Sequence, residues 1–214
     1  MRGNRAFLRR SVRYLAAEAG ITQFLDIGTG IPSAGNTHEV AQAAAPQSRV
    51  VYADNDPIVL NHARALLTGT PGTTSYIDGD IRDTATILDK AAETLDFSQP
   101  IAVQLIAVLH CIPDSDDPRG IVRNLVRAVP SGSFLTISHP GSDFHPETTG
   151  EMLSRVNSVM PDKLTFRTRD DVTAFFDGVD LLDPGVVRVP EWRPDSEADL
   201  ANPAEMWGGV GRKP

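Results

Sequence analysis

A chain of 214 residues, 41% of them hydrophobic and 22% charged, is long enough for one α/β domain and short for two; such a domain buries roughly 70% of the surface its unfolded form exposes. The net charge of -8 repels a phosphate backbone, and no apolar run approaches the roughly 20 residues that cross a bilayer, which sets nucleic acid and membrane aside as partners. A single cysteine, Cys111, excludes an internal disulfide framework, and no apolar signal core follows Met1-Arg2-Gly3-Asn4-Arg5, so a reducing cytoplasm is the expected compartment.

Leu8, Val12, Leu15 and Ala19 recur at helical spacing, with Gly20 as a stop, and predict an amphipathic helix from Arg5 to Ala19 that covers a sheet. Arg5, Arg9 and Arg13 read as its solvated face. Phe24-Leu25-Asp26-Ile27-Gly28-Thr29-Gly30 is an apolar run that enters an acid and two glycines. That pattern predicts a buried parallel strand whose end turns sharply and approaches something too closely for side chains to fit, as at a nucleotide site. A dinucleotide fingerprint would place a third glycine at Ser33, and the next glycine, Gly35, comes two residues late.

After a loop from Ile31 to Gly35, Asn36 and Glu39 read as a capping box for a helix through Ala45. The free N–H groups at its start face back toward the glycine turn and suit an anion such as a carboxylate. Arg49 to Ala53 is the second strand; Asp54-Asn55-Asp56 ends it, and Pro57 opens a helix through Leu67. Asp54 is placed to accept hydrogen bonds from ribose hydroxyls, because the first two parallel strands end side by side at a switch point. The third strand, Thr73 to Ile77, runs into Asp78-Gly79-Asp80; Asp80 is placed to accept from an adenine amino group, and Asp83 to cap a helix reaching Glu93.

Ile101 to Leu109, broken by Gln104, reads as a central fourth strand buried on both faces, ending at His110-Cys111-Ile112-Pro113-Asp114. Asp117 and Pro118 open a helix with Ile121, Val122, Leu125, Val126 and Val129 on its inner face. Ser133 to Ser138 is the fifth strand and leads to His139. The stretch 142–177 predicts two helices, Glu147 to Met160 and, after a Thr168/Asp171 capping pair, Val172 to Phe176; a late insert of this kind roofs an active site. Asp180 to Val189, kinked at Asp183-Pro184-Gly185, and Glu205 to Arg212 are two closing strands.

His110 and His139, at the ends of adjacent central strands, are the histidines whose positions suit a catalytic base near neutral pH; a structural histidine held in the loop fits either position too. Cys111 reads as a small buried residue rather than a nucleophile. His38, His62 and His145 lack ligand spacing with one another or with Cys111, and no metal is assigned.

Five strand-helix units and two closing strands describe a doubly wound α/β sheet open at the carboxyl ends of its strands. Asp26-Ile27-Gly28-Thr29-Gly30 resembles the first motif of S-adenosylmethionine-dependent methyltransferases, with Pro32 in place of their common third glycine. More narrowly, DIGTGIPSAGNTHEVA, VVYADNDPIVLNHARALL, YIDGDIRD, AVLHCIPD and the final WGGVGRKP resemble a bacterial family of S-adenosylmethionine methyltransferases of unassigned substrate. The resemblance runs nearly end to end, although 142–177 contributes little to it.

It implies the class I fold: one domain with a mostly parallel seven-stranded sheet in the order 3-2-1-4-5-7-6, the seventh strand antiparallel, and helices on both faces. It implies S-adenosylmethionine as cofactor, held at Asp26, Gly28, Gly30, Asn36, Asp54 and Asp80, and a methyl group passed by in-line displacement to a small-molecule nucleophile. It assigns neither a substrate nor an oligomeric state. A non-catalytic S-adenosylmethionine-binding regulator would keep the same cofactor motifs; a nicotinamide-dependent oxidoreductase would share the sheet and Asp54, against the glycine spacing. The resemblance also predicts a helical segment upstream of Asn4-Arg5-Ala6-Phe7-Leu8, which would relieve the arginines at the positive end of the first helix; Asn4 as an ordinary N-cap is the competing reading.

Overall fold

The computed structural model describes residues 2–31, 34–66, 73–160, 163–201 and 204–214. Among them, strands β1 (Gln23–Ile27), β2 (Arg49–Asp54), β3 (Thr74–Asp78), β4 (Ala102–Ile106), β5 (Phe134–Pro140), β6 (Asp180–Leu181), β7 (Val187–Arg188) and β8 (Met206–Arg212) form one sheet. The order is β3-β2-β1-β4-β5-β8-β6, with β7 also paired to β8. β1 to β5 are parallel to their neighbours, and β8 runs antiparallel to β5 from Phe134↔Arg212 to Pro140↔Met206.

This is the expected topology with one modification. The strand expected over 180–189 is cut in two: β6 pairs with Gly211 and Arg212, and β7 with Trp207 and Gly208. Between them, Pro184 supplies no ladder N–H and Gly185 takes a φ of 81°. β4 is also shorter than its apolar run. Ala107 adopts a φ of 53° and donates its N–H to the Ser138 carbonyl at 3.0 Å, so the chain leaves the ladder and coils into a short 3-10 turn at Leu109–Cys111.

The helices are α1 (Arg2–Ala17), α2 (Thr37–Ala44), α3 (Pro57–Leu66), α4 (Thr84–Ala91), α5 (Pro118–Ala128), α6 (Pro146–Val159), α7 (Arg169–Thr173) and α8 (Glu197–Leu200). None is long and apolar enough to cross a membrane. The helix end expected at Leu67 lies outside the described residues. Asp83, Asp117 and the Thr168/Asp171 pair cap α4, α5 and α7 as their positions predict. Asn36 does not cap α2 through its side chain. Its carbonyl lies 3.5 Å from Arg5 Nη2, its amide donates to Glu39 Oε1 at 3.4 Å, and Glu39 Oε2 accepts instead from the Gly35 N–H at 2.7 Å.

Two apolar layers hold the sheet. On one face, Phe7, Leu8, Val12 and Leu15 of α1 pack on Phe24, Val50, Ala102 and Phe134, together with Trp192 and Val210. On the other, Ile87 and Ala91 of α4, Ile121, Val122 and Leu125 of α5, and Val172 of α7 pack on Leu25, Val51, Val103 and Ile137. Arg10 fastens α1 to the turn at Val189–Glu191 and its neighbour, donating to the carbonyls of Val189 at 2.6 Å and Trp192 at 3.0 Å. Arg9 and Arg13 are exposed as expected; Arg5 is half-buried and leans toward α2.

Candidate active site

The ends of β1, β2 and β3 meet in one cleft. Gly28 turns the chain there at a φ of 75°, and a Cβ at this position would lie 2.3 Å from Val108 Cγ2, so the turn is pressed against the chain leaving β4. Gly30 also has positive φ, 62°, but a Cβ there would meet nothing within 4 Å: it borders open space. Asp54, at the end of β2, accepts from the Gly30 N–H at 2.9 Å through Oδ2 and from the Asp56 N–H at 3.0 Å through Oδ1. Each carboxylate oxygen has a second lone pair, so Asp54 shapes the turn and keeps acceptor capacity.

These groups line a cavity of about 250 Å³ with apolar walls from Ile27, Val59, Ile81, Val108 and Ile112. Asp80 lies on its rim, where Oδ2 accepts from Asn55 Nδ2 at 3.1 Å and Oδ1 from the Arg82 N–H at 2.9 Å. Arg82 pairs with both Asp80 and Asp116, at 3.1 and 2.7 Å, and so ties the end of β3 to the loop before α5. Of the predicted cofactor residues, the structure therefore brings Gly28, Gly30, Asp54 and Asp80 to one cavity.

Asp26 and Asn36 lie on the other side of Gly30. They line a recess of about 10 Å³ with Arg5, Thr29, Thr37, Tyr52 and Tyr76. Asp26 is 3% exposed and accepts from the Thr37 hydroxyl at 2.6 Å, which pins the start of α2 to β1. Burial pushes its pKa up to about 6, opposed by the Thr37 bond and the Arg5 charge and assisted by Asp54. Tyr52 completes the wall: its hydroxyl accepts from the His38 N–H at 2.8 Å. Pro32 and Ser33, which break the glycine pattern, lie outside the described residues.

The two histidines differ. His139, on β5, is fully buried; Nδ1 donates to its neighbour Pro140's carbonyl at 2.8 Å and Nε2 accepts from Arg167 Nη1 at 3.0 Å. Burial, above all, pushes its pKa down to about 3. Both ring nitrogens are committed to hydrogen bonds, which leaves His139 no free lone pair for a base in this arrangement. His110 is half-buried in the turn after β4, and its Nδ1 has no hydrogen-bond partner. Burial first and the Arg167 charge second hold its pKa below the ordinary histidine value. Its ring lies 6.2 Å from that of His139 and 6.4 Å from that of Phe166, and Cys111 Sγ is 3.7 Å from its Nε2. Cys111 is half-buried and lines the cofactor-side cavity.

A profile of the S-adenosyl methyltransferase family matches residues 1–214. The chain belongs to that family. Methyl transfer from S-adenosylmethionine is accordingly its activity, and S-adenosylmethionine its cofactor. Among solved structures, a DUF574 family protein from Streptomyces avermitilis is 45% identical, with a TM-score of 0.93 over 100% of this chain and 84% of that one. A Thermobifida fusca protein provisionally described as a methyltransferase is 37% identical, with a TM-score of 0.89 over 99% of this chain and 80% of that one. The N-methyltransferase NodS from Bradyrhizobium japonicum, solved with S-adenosyl-L-homocysteine, is 14% identical and shares the fold, with a TM-score of 0.57 over 96% of this chain and 85% of that one. No curated protein matches the chain.

The cleft fits the family's cofactor on its own chemistry. Apolar walls suit a planar base, two carboxylates offer acceptors to hydroxyl and amino groups, and the space over Gly30 is clear. Reading the sequence alone missed Arg5, Thr37, Arg82 and Val108. Arg5 carried a signal, a cation in the first turn of a helix where acids are favoured; the other three are placed by contacts between segments distant in sequence.

Proposed function

We propose that this methyltransferase binds the nucleoside of S-adenosylmethionine across the ends of β1, β2 and β3 and methylates a small molecule that enters between the ends of β4 and β5. The observation that carries this reading is the junction of Asp54 Oδ2 with the Gly30 N–H at the floor of the cavity, which joins the ribose acceptor to the glycine turn. Asp54 would receive ribose hydroxyls, Asp80 the adenine amino group, and the Arg5, Asp26 and Asn36 side of Gly30 the amino-acid end.

The bound sulfonium supplies an already activated methyl group. What remains for the protein is to hold a nucleophile in line at near-attack distance and, where the acceptor carries a proton, to remove it. His110 is the candidate base: its neutral ring keeps a lone pair at neutral pH, and it lies beside the segment over the end of β5. A separate cavity of about 280 Å³ lies between the start of α5 and the 165–175 stretch, lined by Asp114, Phe166, Arg167, Asp171 and Phe175 among others; it shares no lining residue with the cofactor-side cavity.

The test is a thermal-shift screen with S-adenosylmethionine, S-adenosylhomocysteine and NADPH. Ligand at about a hundred times its Kd adds roughly 2.7 kcal/mol of stability. Stabilisation by the two sulfur compounds and not by NADPH is expected; a response to NADPH alone would overturn the reading.

A further inference from the structure

The segment between α6 and α7 contributes a side chain that nothing in its local sequence singles out. Arg167 is 5% exposed. Its Nη1 donates to the Leu109 carbonyl at 3.0 Å and to His139 Nε2 at 3.0 Å. Nη2 donates to the Ile112 carbonyl at 2.8 Å and to Asp114 Oδ1 at 2.6 Å, and Nε to the same carboxylate oxygen at 3.3 Å. All five N–H groups of the guanidinium are thus engaged, and its Cζ lies 5.4 Å from the centre of the Phe175 ring. Its backbone continues the stitching: the Arg167 N–H donates to the Pro140 carbonyl at 3.3 Å, and its carbonyl accepts from Ser142 at 3.0 Å.

The two carbonyls that Arg167 grips, Leu109 and Ile112, bracket His110 and Cys111. Thr165, two residues before Arg167, donates its N–H to the His110 carbonyl at 2.8 Å. One arginine therefore connects the turn that carries the candidate base, the end of β5 and the roof. A lysine could not reproduce this, because only a planar fork presents five fixed donors to two carbonyls, a carboxylate and an imidazole at once.

We propose that Arg167 is the positioning residue of the methyl-transfer site, holding the His110 turn and the roof segment in one fixed arrangement. The proposal rests on the reading of His110 as the base. The groups that face the His110 ring are Arg167, His139 and Cys111, with Asp114 on the far side of the guanidinium. Replacing Arg167 by methionine removes a positive neighbour as well as a clamp, so the ring should become both more basic and less ordered. Replacement by lysine keeps the charge and loses the clamp.

The experiment is an NMR titration of the His110 side chain in the wild type, Arg167→Met and Arg167→Lys, with S-adenosylhomocysteine affinity measured on each. The wild-type ring should titrate below about 6.5. In Arg167→Met the midpoint should move up toward that value and the signal should broaden; in Arg167→Lys the midpoint should stay low while the signal broadens. S-adenosylhomocysteine affinity should change by less than about threefold in both. A His110 signal of unchanged midpoint and width in folded Arg167→Met would overturn the proposal. If that variant does not fold, a wild-type His110 spectrum in Arg167→Lys would overturn it equally. A tenfold loss of S-adenosylhomocysteine affinity would reassign Arg167 to the cofactor site. Failure of the wild type to bind S-adenosylhomocysteine would instead strike the functional reading and leave the titration interpretable.

Discussion

The two halves of the cleft are built by opposite means. Over β1 to β3, the site is made of backbone and short acids: a glycine turn pressed on Val108, an N–H bound by Asp54, and Asp26 under the start of α2. Over β4 and β5, it is made of long side chains that cross between segments, with Arg167 reaching from the stretch between α6 and α7 to the His110 turn and to His139. The buried ionisable groups differ in sign accordingly. Asp26 is an acid whose proton is held more tightly in the fold than out of it, and His139 is a base whose proton is rejected by the fold. The half over β1 to β3 should therefore favour mild acid, and the half over β4 and β5 should lose stability in it.

The largest effect should come from His139. Its folded pKa near 3 lies below the unfolded value of about 6.5, so the stability it contributes is full above pH 6.5 and is lost as pH falls toward 3. At about 1.4 kcal/mol per unit, the loss is on the order of 4 to 5 kcal/mol. Urea denaturation between pH 7 and 4, a window that covers about 3 kcal/mol of that loss, should show a steep acid limb in the wild type and a flatter one in His139→Gln; parallel limbs would erase the contrast between the halves.

Gly28 comes next. A Cβ at its positive φ costs about 1 kcal/mol or more in backbone strain, and the collision with Val108 adds to it. Gly28→Ala should lower stability by roughly 2 to 3 kcal/mol, and Val108→Gly, which removes both the Cβ and the Cγ2 that the new methyl meets, should recover part of the loss in the same chain. Additive losses in this double-mutant cycle would show that the two segments do not press on each other.

Asp26 sharpens the comparison from the other side. Its folded pKa near 6 lies above the unfolded value of about 3.9, so the folded state binds the extra proton between those limits and stability falls as pH rises through them. Asp26→Asn cannot ionise. It should gain on the wild type by up to about 3 kcal/mol between pH 4 and 7 while weakening cofactor binding. Equal stability differences at pH 4 and pH 7 would remove the buried charge from the account.

The same contrast explains what could be read from the sequence. Gly28, Gly30, Asp54 and Asp80 were legible because each follows an apolar run, and parallel strands bring such ends together without further information. The sheet order, down to the closing antiparallel strand, came from the family resemblance rather than from the strand pattern itself. His110 and His139 have the same sequence signature, a histidine at the end of a central apolar run, yet the Nδ1 of one is buried without a partner and both ring nitrogens of the other are bonded. What separates them is Arg167, which comes from a stretch with no motif. Asn36 failed as a cap for a related reason: Arg5 arrives from α1, 31 residues away, and faces the oxygen that local sequence assigned to α2.

The central claim is that Asp54 and the glycine turn hold the cofactor, and calorimetric titration of S-adenosylhomocysteine into the wild type and Asp54→Ala tests it most directly. A hydrogen bond to a charged group contributes about 1.5 to 3 kcal/mol, so affinity should fall roughly ten- to hundredfold in the folded variant. Wild-type affinity in folded Asp54→Ala would contradict the claim.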